Sequence, residues 1–157
     1  MASEPIVDLD SLDLNAVRVS PDEVGRINPQ SGDMRHLDHV IWMDDAYSMA
    51  VGVKQVRDDE FWVPGHIPGR PLLPGVIMIE AVAQLGNVLY HFRSKNERFM
   101  GFTRCDDCTF RGQVVPGDTL YLLTREVVFS KRRSITYGQG MVNGKLVFEV
   151  QITGMLI

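Results

Sequence analysis

The chain has 157 residues, 45% of them hydrophobic, which is enough for one substantial core and short for two domains. Its formal net charge of -4 argues against a nucleic-acid-binding protein, because such a protein needs a clustered basic surface. No stretch approaches the roughly 20 apolar residues of a membrane span, and the first residues are acidic where a signal peptide would be basic. We therefore expect a cytoplasmic protein without a membrane partner.

Residues 1–19 are predicted to form a flexible N-terminal arm, because acidic and small residues dominate and no apolar period of useful length occurs. Residues 20–157 are expected to form a single domain that opens with a short helix. Ser20 can cap that helix, Pro21 suits its first position, and Glu23 lies three residues after the cap, where it can reach back to the cap's amide.

Two apolar and β-branched runs, residues 40–43 and 48–56, flank Asp44-Asp45 and predict a hairpin or two sequential strands. The next segment, residues 61–74, contains four prolines and two glycines. Such a segment can be neither a regular helix nor a central strand, so it is predicted to be a shaped loop.

Residues 75–92 are apolar almost all the way round, which is typical of a helix buried on every side. Pro74 marks its start. Glu80 and Gln84 are polar exceptions four residues apart, and hence on one face. A carboxylate in the middle of a buried helix costs several kcal/mol unless it is paired or used, so Glu80 needs an explanation.

From Phe99 onward the pattern is that of strands, with turn residues at Gly117-Asp118 and Asn143-Gly144 between the predicted strands near 99–115, 119–130, 134–142 and 145–155. One long buried helix followed by an antiparallel meander predicts an α+β fold with a curved sheet over the helix. Cys105 and Cys108 form a single C-x-x-C with no second cysteine pair and no nearby histidine, so no metal site is expected.

His66 and Glu80 are the candidate catalytic pair. Each has an ordinary structural explanation, since His66 could simply organise its loop and Glu80 could be satisfied by an arginine or by helix-end amides. The loop leads directly into the helix, however, and can fold back against it. A histidine base and a buried carboxyl acid are what β-elimination of water requires. The helix N-terminus at Gly75 offers free amides for a carbonyl oxygen that gains negative charge.

Residues 61–84, FWVPGHIPGRPLLPGVIMIEAVAQ, closely resemble the signature of the β-hydroxyacyl-acyl carrier protein dehydratases of the FabZ/FabA group. The similarity continues more weakly through FRGQVVPGDTL and NGKLVFEVQI, and so covers roughly residues 35–157. One departure is the stretch DMRHLDHVIWMDD, which lacks the family's proline and has His39-Val40 where Pro-Phe is expected.

The resemblance implies a hot-dog fold, in which a sheet wraps a central helix, and an obligate homodimer with composite sites, with a trimer of dimers as a further option. It implies that His66 takes the α-proton of a 3-hydroxyacyl thioester and that Glu80 protonates the departing hydroxyl. Gly75 N–H would hold the thioester carbonyl, and Gln84 would orient the acid. Glu at position 80, where the FabA branch carries Asp, favours simple dehydration over isomerisation.

The implied partner is an acidic acyl carrier protein whose phosphopantetheine arm carries the substrate, and no other cofactor is expected. A local basic patch should receive it, with Arg70, Lys131, Arg132 and Arg133 as candidates. The alternative is that residues 131–133 form a solvated turn between two strands.

Three other functions remain open. A hot-dog thioesterase could use a glutamate on the same helix to direct water at the thioester, although the proline-bracketed loop argues against it. A MaoC-like hydratase would pair Asp and His within a few residues, which is not seen here. A non-catalytic hot-dog subunit that binds acyl chains would not need both His66 and Glu80.

Overall fold

The computed structural model describes residues 3–157. Its two helices and six strands are α1 (Pro21–Ile27), β1 (His39–Met43), β2 (Met49–Gln55), α2 (Gly75–Ser94), β3 (Met100–Phe110), β4 (Thr119–Phe129), β5 (Arg133–Val142) and β6 (Lys145–Leu156), with two short 3-10 turns, Leu9–Ser11 and Gly32–Met34. The strands form one antiparallel sheet in the order β1-β2-β4-β5-β6-β3. A long helix wrapped by this sheet is the α+β hot-dog arrangement that the sequence predicts.

Local signals set most of the element boundaries. Ser20 Oγ accepts a hydrogen bond from the Glu23 amide at 3.2 Å, so the predicted helix cap is present. Asn143 and Gly144 both have positive φ, which gives the tight turn between β5 and β6. β3 ends at Phe110, before the predicted boundary near residue 115. The next two amides, those of Arg111 and Gly112, both donate to Val147 O, which breaks the regular strand pairing.

The helix α2 fills the concave side of the sheet. Half of its 20 residues are buried, which accounts for its apolar composition. By length and composition alone α2 would also pass as a membrane-spanning helix, contrary to the expectation that no stretch approaches a span. The core that α2 forms with the rest of the chain includes Leu85 of the helix, together with Leu37 and Phe148.

The described part of the N-terminal arm packs on the sheet, and Met1 and Ala2 lie outside the described residues. Its apolar residues Ile6, Val7, Leu9 and Leu12 pack against the outer face of the sheet, on a cluster formed by Ile41, Val51, Val53, Leu123 and Met141. The side chain of Gln139 binds this segment at both ends, accepting from Ile6 N at 2.8 Å and donating to Glu4 O at 3.0 Å. The arm therefore covers apolar surface that the sheet would otherwise expose.

Candidate active site

His66 lies on the exposed loop that leads from β2 into α2. Its amide donates to Trp62 O at 2.9 Å, and its ring Nδ1 lies 2.8 Å from Leu72 O. A carbonyl oxygen can only accept, so Nδ1 carries the hydrogen and the lone pair is on Nε2. This is the tautomer in which Nε2 can act as a base toward a molecule outside the loop.

Gly75 lies in the same groove as His66. The groove has a volume of about 300 Å³ and is lined mainly by apolar side chains, including Leu72, Val76 and Phe110. As the first residue of α2, Gly75 has an N–H with no intrahelical acceptor, and this N–H lies at the positive end of the helix dipole. A Cβ at this position would lie 2.6 Å from Phe110 Cζ, so any larger residue would have to displace that ring.

Glu80 lies one and a half turns further along α2, in a different environment. Its Oε1 accepts hydrogen bonds from Gln84 Nε2 at 3.0 Å and from Gln30 Nε2 at 3.4 Å. Because both donors bind one oxygen, Oε2 is left for a proton or a substrate.

Gln84 is fully hydrogen-bonded, and its orientation is fixed by what it binds. Its Oε1 accepts from the amides of His36 at 2.8 Å and Leu37 at 3.1 Å, which requires an oxygen at that position. Its Nε2 therefore faces Met34 O at 2.7 Å and Glu80. This geometry supports the expected role of Gln84 in orienting the acid.

Several polar residues around this cluster were missed by the sequence analysis. Asn28 donates to Gln84 O at 3.0 Å and accepts from Asn87 at 2.8 Å, so a buried ladder of amides continues along α2. Asn87 is one turn beyond Gln84, and this spacing was the available signal. His36 is buried with no hydrogen-bond partner on either ring nitrogen among the described residues. Burial, and next the Lys54 ammonium, lower the pKa of His36.

The structure brings the predicted site residues together in two groups. His66 and Gly75 share the groove beside Phe110. Glu80 and Gln84 belong to the polar cluster around Gln30 and residues 34–37. Within the described chain the two groups share neither a hydrogen bond nor a groove lining, so one chain does not by itself place Glu80 in the groove of His66.

The candidate docking residues also fall into two places. Arg70 donates to Gln113 Oε1 at 3.2 Å, beside the groove that contains His66. Lys131 follows β4, and its carbonyl accepts from Tyr90 OH at 3.1 Å near the C-terminal end of α2. Gly75 and Tyr90 are separated by about 22 Å of helix rise, so Arg70 and residues 131–133 do not form a single patch on one chain.

Cys105 and Cys108 are exposed free thiols on β3. Burial, together with a contact to Cys105, raises the pKa of the Cys108 thiol. Residues 3–157 contain no cluster of three or more His, Cys, Asp or Glu side chains that could hold a metal ion.

The chain is similar to known proteins in both sequence and fold. A family model described as a FabA-like domain matches residues 28–151. A 3-hydroxyacyl-[acyl-carrier-protein] dehydratase FabZ from Xanthomonas campestris pv. campestris is 31% identical over 153 residues, which cover 96% of this chain and 95% of the relative. The protein of the same name from Anoxybacillus flavithermus is 34% identical over 133 residues, covering 83% and 92%. Among solved structures, the dehydratase heterocomplex ApeI:P from Xenorhabdus doucetiae has a TM-score of 0.72 at 17% identity, over 85% of this chain and 90% of that chain, which shows a shared fold. The chain therefore belongs to the FabA-like family, together with the FabZ 3-hydroxyacyl-acyl carrier protein dehydratases.

Proposed function

We propose that this protein dehydrates (3R)-3-hydroxyacyl thioesters carried on acyl carrier protein to trans-2-enoyl thioesters, in the cytoplasm and with no cofactor beyond the carrier's phosphopantetheine arm. The observation that carries the proposal is the groove in which a free imidazole nitrogen of His66 lies beside the unpaired N-terminal amide of α2 at Gly75. A base next to an oxyanion-binding amide is the arrangement needed to remove a proton α to a carbonyl.

The reaction follows from these positions. His66 Nε2 takes the proton from C2 of the substrate, and the electron pair of that C–H bond forms the C2=C3 double bond. The C3–O bond breaks, and Glu80 gives the departing hydroxyl a proton from Oε2, so that water leaves. Gly75 N–H stabilises the negative charge that develops on the thioester oxygen. The cycle closes when the proton on His66 is released and Glu80 is reprotonated.

We further propose that the acid comes from a second copy of the chain across a two-fold axis, since His66 and Glu80 lie in separate groups within one chain. Two features support a dimer. β3 is an 11-residue edge strand with its outer edge unpaired in the single chain, and edge strands of this length are usually covered. The neighbouring surface carries the exposed apolar side chains Ile67, Val76, Phe102 and Phe110.

The acyl chain has a candidate site along α2. A partly enclosed cavity of about 40 Å³ is lined by Ala83, one turn beyond Glu80, and by Gly86, Tyr90 and Met100. It is much smaller than the roughly 150 Å³ that holds a benzene ring, so an acyl chain must widen it to enter. Its lining is mainly apolar, as an alkyl chain requires. Tyr90 OH binds the carbonyls of Ser130 and Lys131, which holds the ring at the far end of the cavity.

The direct test is an assay of the purified protein with 3-hydroxyacyl and enoyl thioesters, followed by the ultraviolet absorbance of the enoyl thioester. We expect dehydration and the reverse hydration, with no release of free thiol. A thioesterase would instead release thiol from the acyl thioester, and a non-catalytic acyl-binding subunit would change neither signal.

A further inference from the structure

The loop that carries His66 has a buried attachment to the sheet. Residues 64–70 are all exposed, and in the ten residues from Phe61 to Arg70 only Trp62 is buried, with 4% of its surface exposed. The carbonyl of Trp62 accepts hydrogen bonds from His66 N at 2.9 Å and Gly65 N at 3.3 Å. The position of the His66 backbone therefore depends on where Trp62 is held.

Trp62 is held by a buried carboxylate. Its indole Nε1 donates to Glu60 Oε2 at 2.9 Å. The same carboxylate accepts from Lys54 Nζ at 2.9 and 3.1 Å and from the Arg57 amide at 3.0 Å. Lys54 belongs to β2, in register with Leu120 of β4, and its side chain is 2% exposed.

These contacts make Glu60 a hydrogen-bonding centre between the sheet and the loop. Burial opposes ionisation of Glu60, but the Arg57 amide, the Trp62 indole and the Lys54 ammonium together lower its pKa. A buried ion pair contributes little net stability compared with a well-packed apolar pair, so its contribution to folding is a weak explanation for its presence. What an apolar pair could not provide is an acceptor for the Trp62 N–H.

We propose that Lys54, Glu60 and Trp62 are positioning residues for His66. The Glu60 carboxylate fixes the Trp62 indole, and Trp62 in turn fixes the backbone that holds the His66 ring against Leu72 O. None of the three touches the groove that contains His66 and Gly75. The inference rests on the proposed function for its kinetic effect, while its effect on the His66 ring is independent of any activity.

The test uses two double variants that both remove the ion pair. Lys54→Met with Glu60→Gln keeps an oxygen acceptor for the Trp62 indole, whereas Lys54→Met with Glu60→Leu removes it. Trp62→Phe removes the donor instead, and Trp42→Phe is the matched control, since Trp42 packs against the outer-face cluster and not against the loop.

The expected kinetics separate position from stability. Since a misplacement of about 1 Å can cost on the order of 100-fold in rate, we expect kcat to fall by about 10- to 100-fold for Trp62→Phe and for the leucine double variant, with KM nearly unchanged. The glutamine double variant should stay within about threefold of the wild type, and Trp42→Phe should be unaffected. Equal kcat for the two double variants, both folded, would overturn the proposal.

Nitrogen-15 NMR of the His66 ring provides a readout without catalysis, with His66→Ala used to assign its signals among the four histidines. The wild type and the glutamine double variant should show the tautomer protonated at Nδ1, and the leucine double variant and Trp62→Phe should show a mixture of tautomers. Unchanged tautomers in all variants would contradict positioning even if the protein had no dehydratase activity. Absence of activity in the wild type alone would contradict only the proposed function.

Discussion

His66 and Glu80 each have one functional atom bound by the protein and one left free. Leu72 O holds Nδ1 of His66, and two amide groups hold Oε1 of Glu80. The bound atoms fix the orientation of the side chain, and the free atoms, Nε2 and Oε2, are the ones that exchange protons with the substrate in the mechanism that we propose. A base and an acid with this division of roles need no rearrangement of their partners during a turnover.

Substitution of either residue should therefore remove catalysis and leave the fold intact. We expect Glu80→Gln and His66→Ala each to reduce dehydration by at least about 100-fold, the usual lower size of a general acid–base contribution. Glutamine keeps an acceptor for Gln84, so thermal unfolding of Glu80→Gln should match that of the wild type within a few degrees. Unfolding of Glu80→Gln would instead assign Glu80 a structural role.

The cavity along α2 allows a chain-length experiment at a single residue. A Cβ at Gly86 would lie 3.4 Å from Thr136 Oγ1, an ordinary contact, so Gly86→Ala fits and reduces the cavity. Alanine in a helix interior should also stabilise the fold by roughly 0.5–1 kcal/mol. We expect turnover of the longest accepted acyl chains to fall while that of short chains is unchanged. Equal effects on all chain lengths would place the acyl chain elsewhere.

At the level of elements, the strands and both helices could be predicted because each has a strong local signal. β-branched and aromatic residues between turn signals mark β4 to β6, and the largely apolar run marks α2. The packing of the arm could not be predicted, because Ile6, Val7, Leu9 and Leu12 are interleaved with acidic residues in a short segment. Their burial depends on an apolar patch of the sheet's outer face, which no local pattern reveals.

For the candidate site, the residues of one segment could be predicted, but their distant partners could not. His66, Gly75, Glu80 and Gln84 lie in one continuous segment, and its resemblance to the dehydratase signature gave these residues their predicted roles. The partners of these residues come from distant parts of the chain, such as Gln30 and residues 34–37. Contacts of this kind depend on tertiary packing, which a single sequence without a structure does not specify.

A second element-level contact predicts how stability depends on pH. Glu149 of β6 accepts hydrogen bonds from Tyr137 OH of β5 at 2.6 Å and from Arg111, which follows β3. Burial opposes its ionisation, but the hydrogen bonds from Tyr137, Ser3 and Arg111 outweigh it and lower the pKa of Glu149 to about 2. The stabilisation is then fully present above the unfolded pKa, near 4.5, and is lost as pH falls toward 2.

We expect this carboxylate to contribute roughly 1–3 kcal/mol at neutral pH, after allowance for solvent screening. Denaturant unfolding of the wild type and Glu149→Gln at pH 7, 4 and 3 measures it. The two proteins should differ most at pH 7 and converge as the pH falls. A difference that stays constant down to pH 3 would show that the carboxylate's charge is not the source.

At the level of the whole molecule, the basic residues predicted to receive a carrier protein lie at both ends of α2. Arg70 is beside the His66 groove, and residues 131–133 are at the far end. We expect Arg132→Glu with Arg133→Glu to slow turnover of a carrier-bound substrate much more than that of a short thioester without the carrier. Arg70→Glu tests the other end of α2 in a separate experiment. Arg26→Glu with Lys145→Glu is a control of equal charge change. Equal slowing of both substrates would remove docking as the explanation.

In the composite site that we propose, His66 and Glu80 meet only when two chains combine, so the assembly of that site is a property of the whole molecule. Symmetry then gives each dimer two identical sites. When equal amounts of inactive His66→Ala and Glu80→Ala proteins are unfolded and refolded together, about half of the dimers should be mixed. One site of a mixed dimer receives both damaged residues, and the other receives intact His66 from one chain and intact Glu80 from its partner.

Half of the dimers, each with half of its sites intact, should give roughly a quarter of wild-type activity. A site built within one chain would give none, because every chain in the mixture is damaged. Activity near zero, with mixed dimers demonstrated by mass spectrometry, would exclude the composite site.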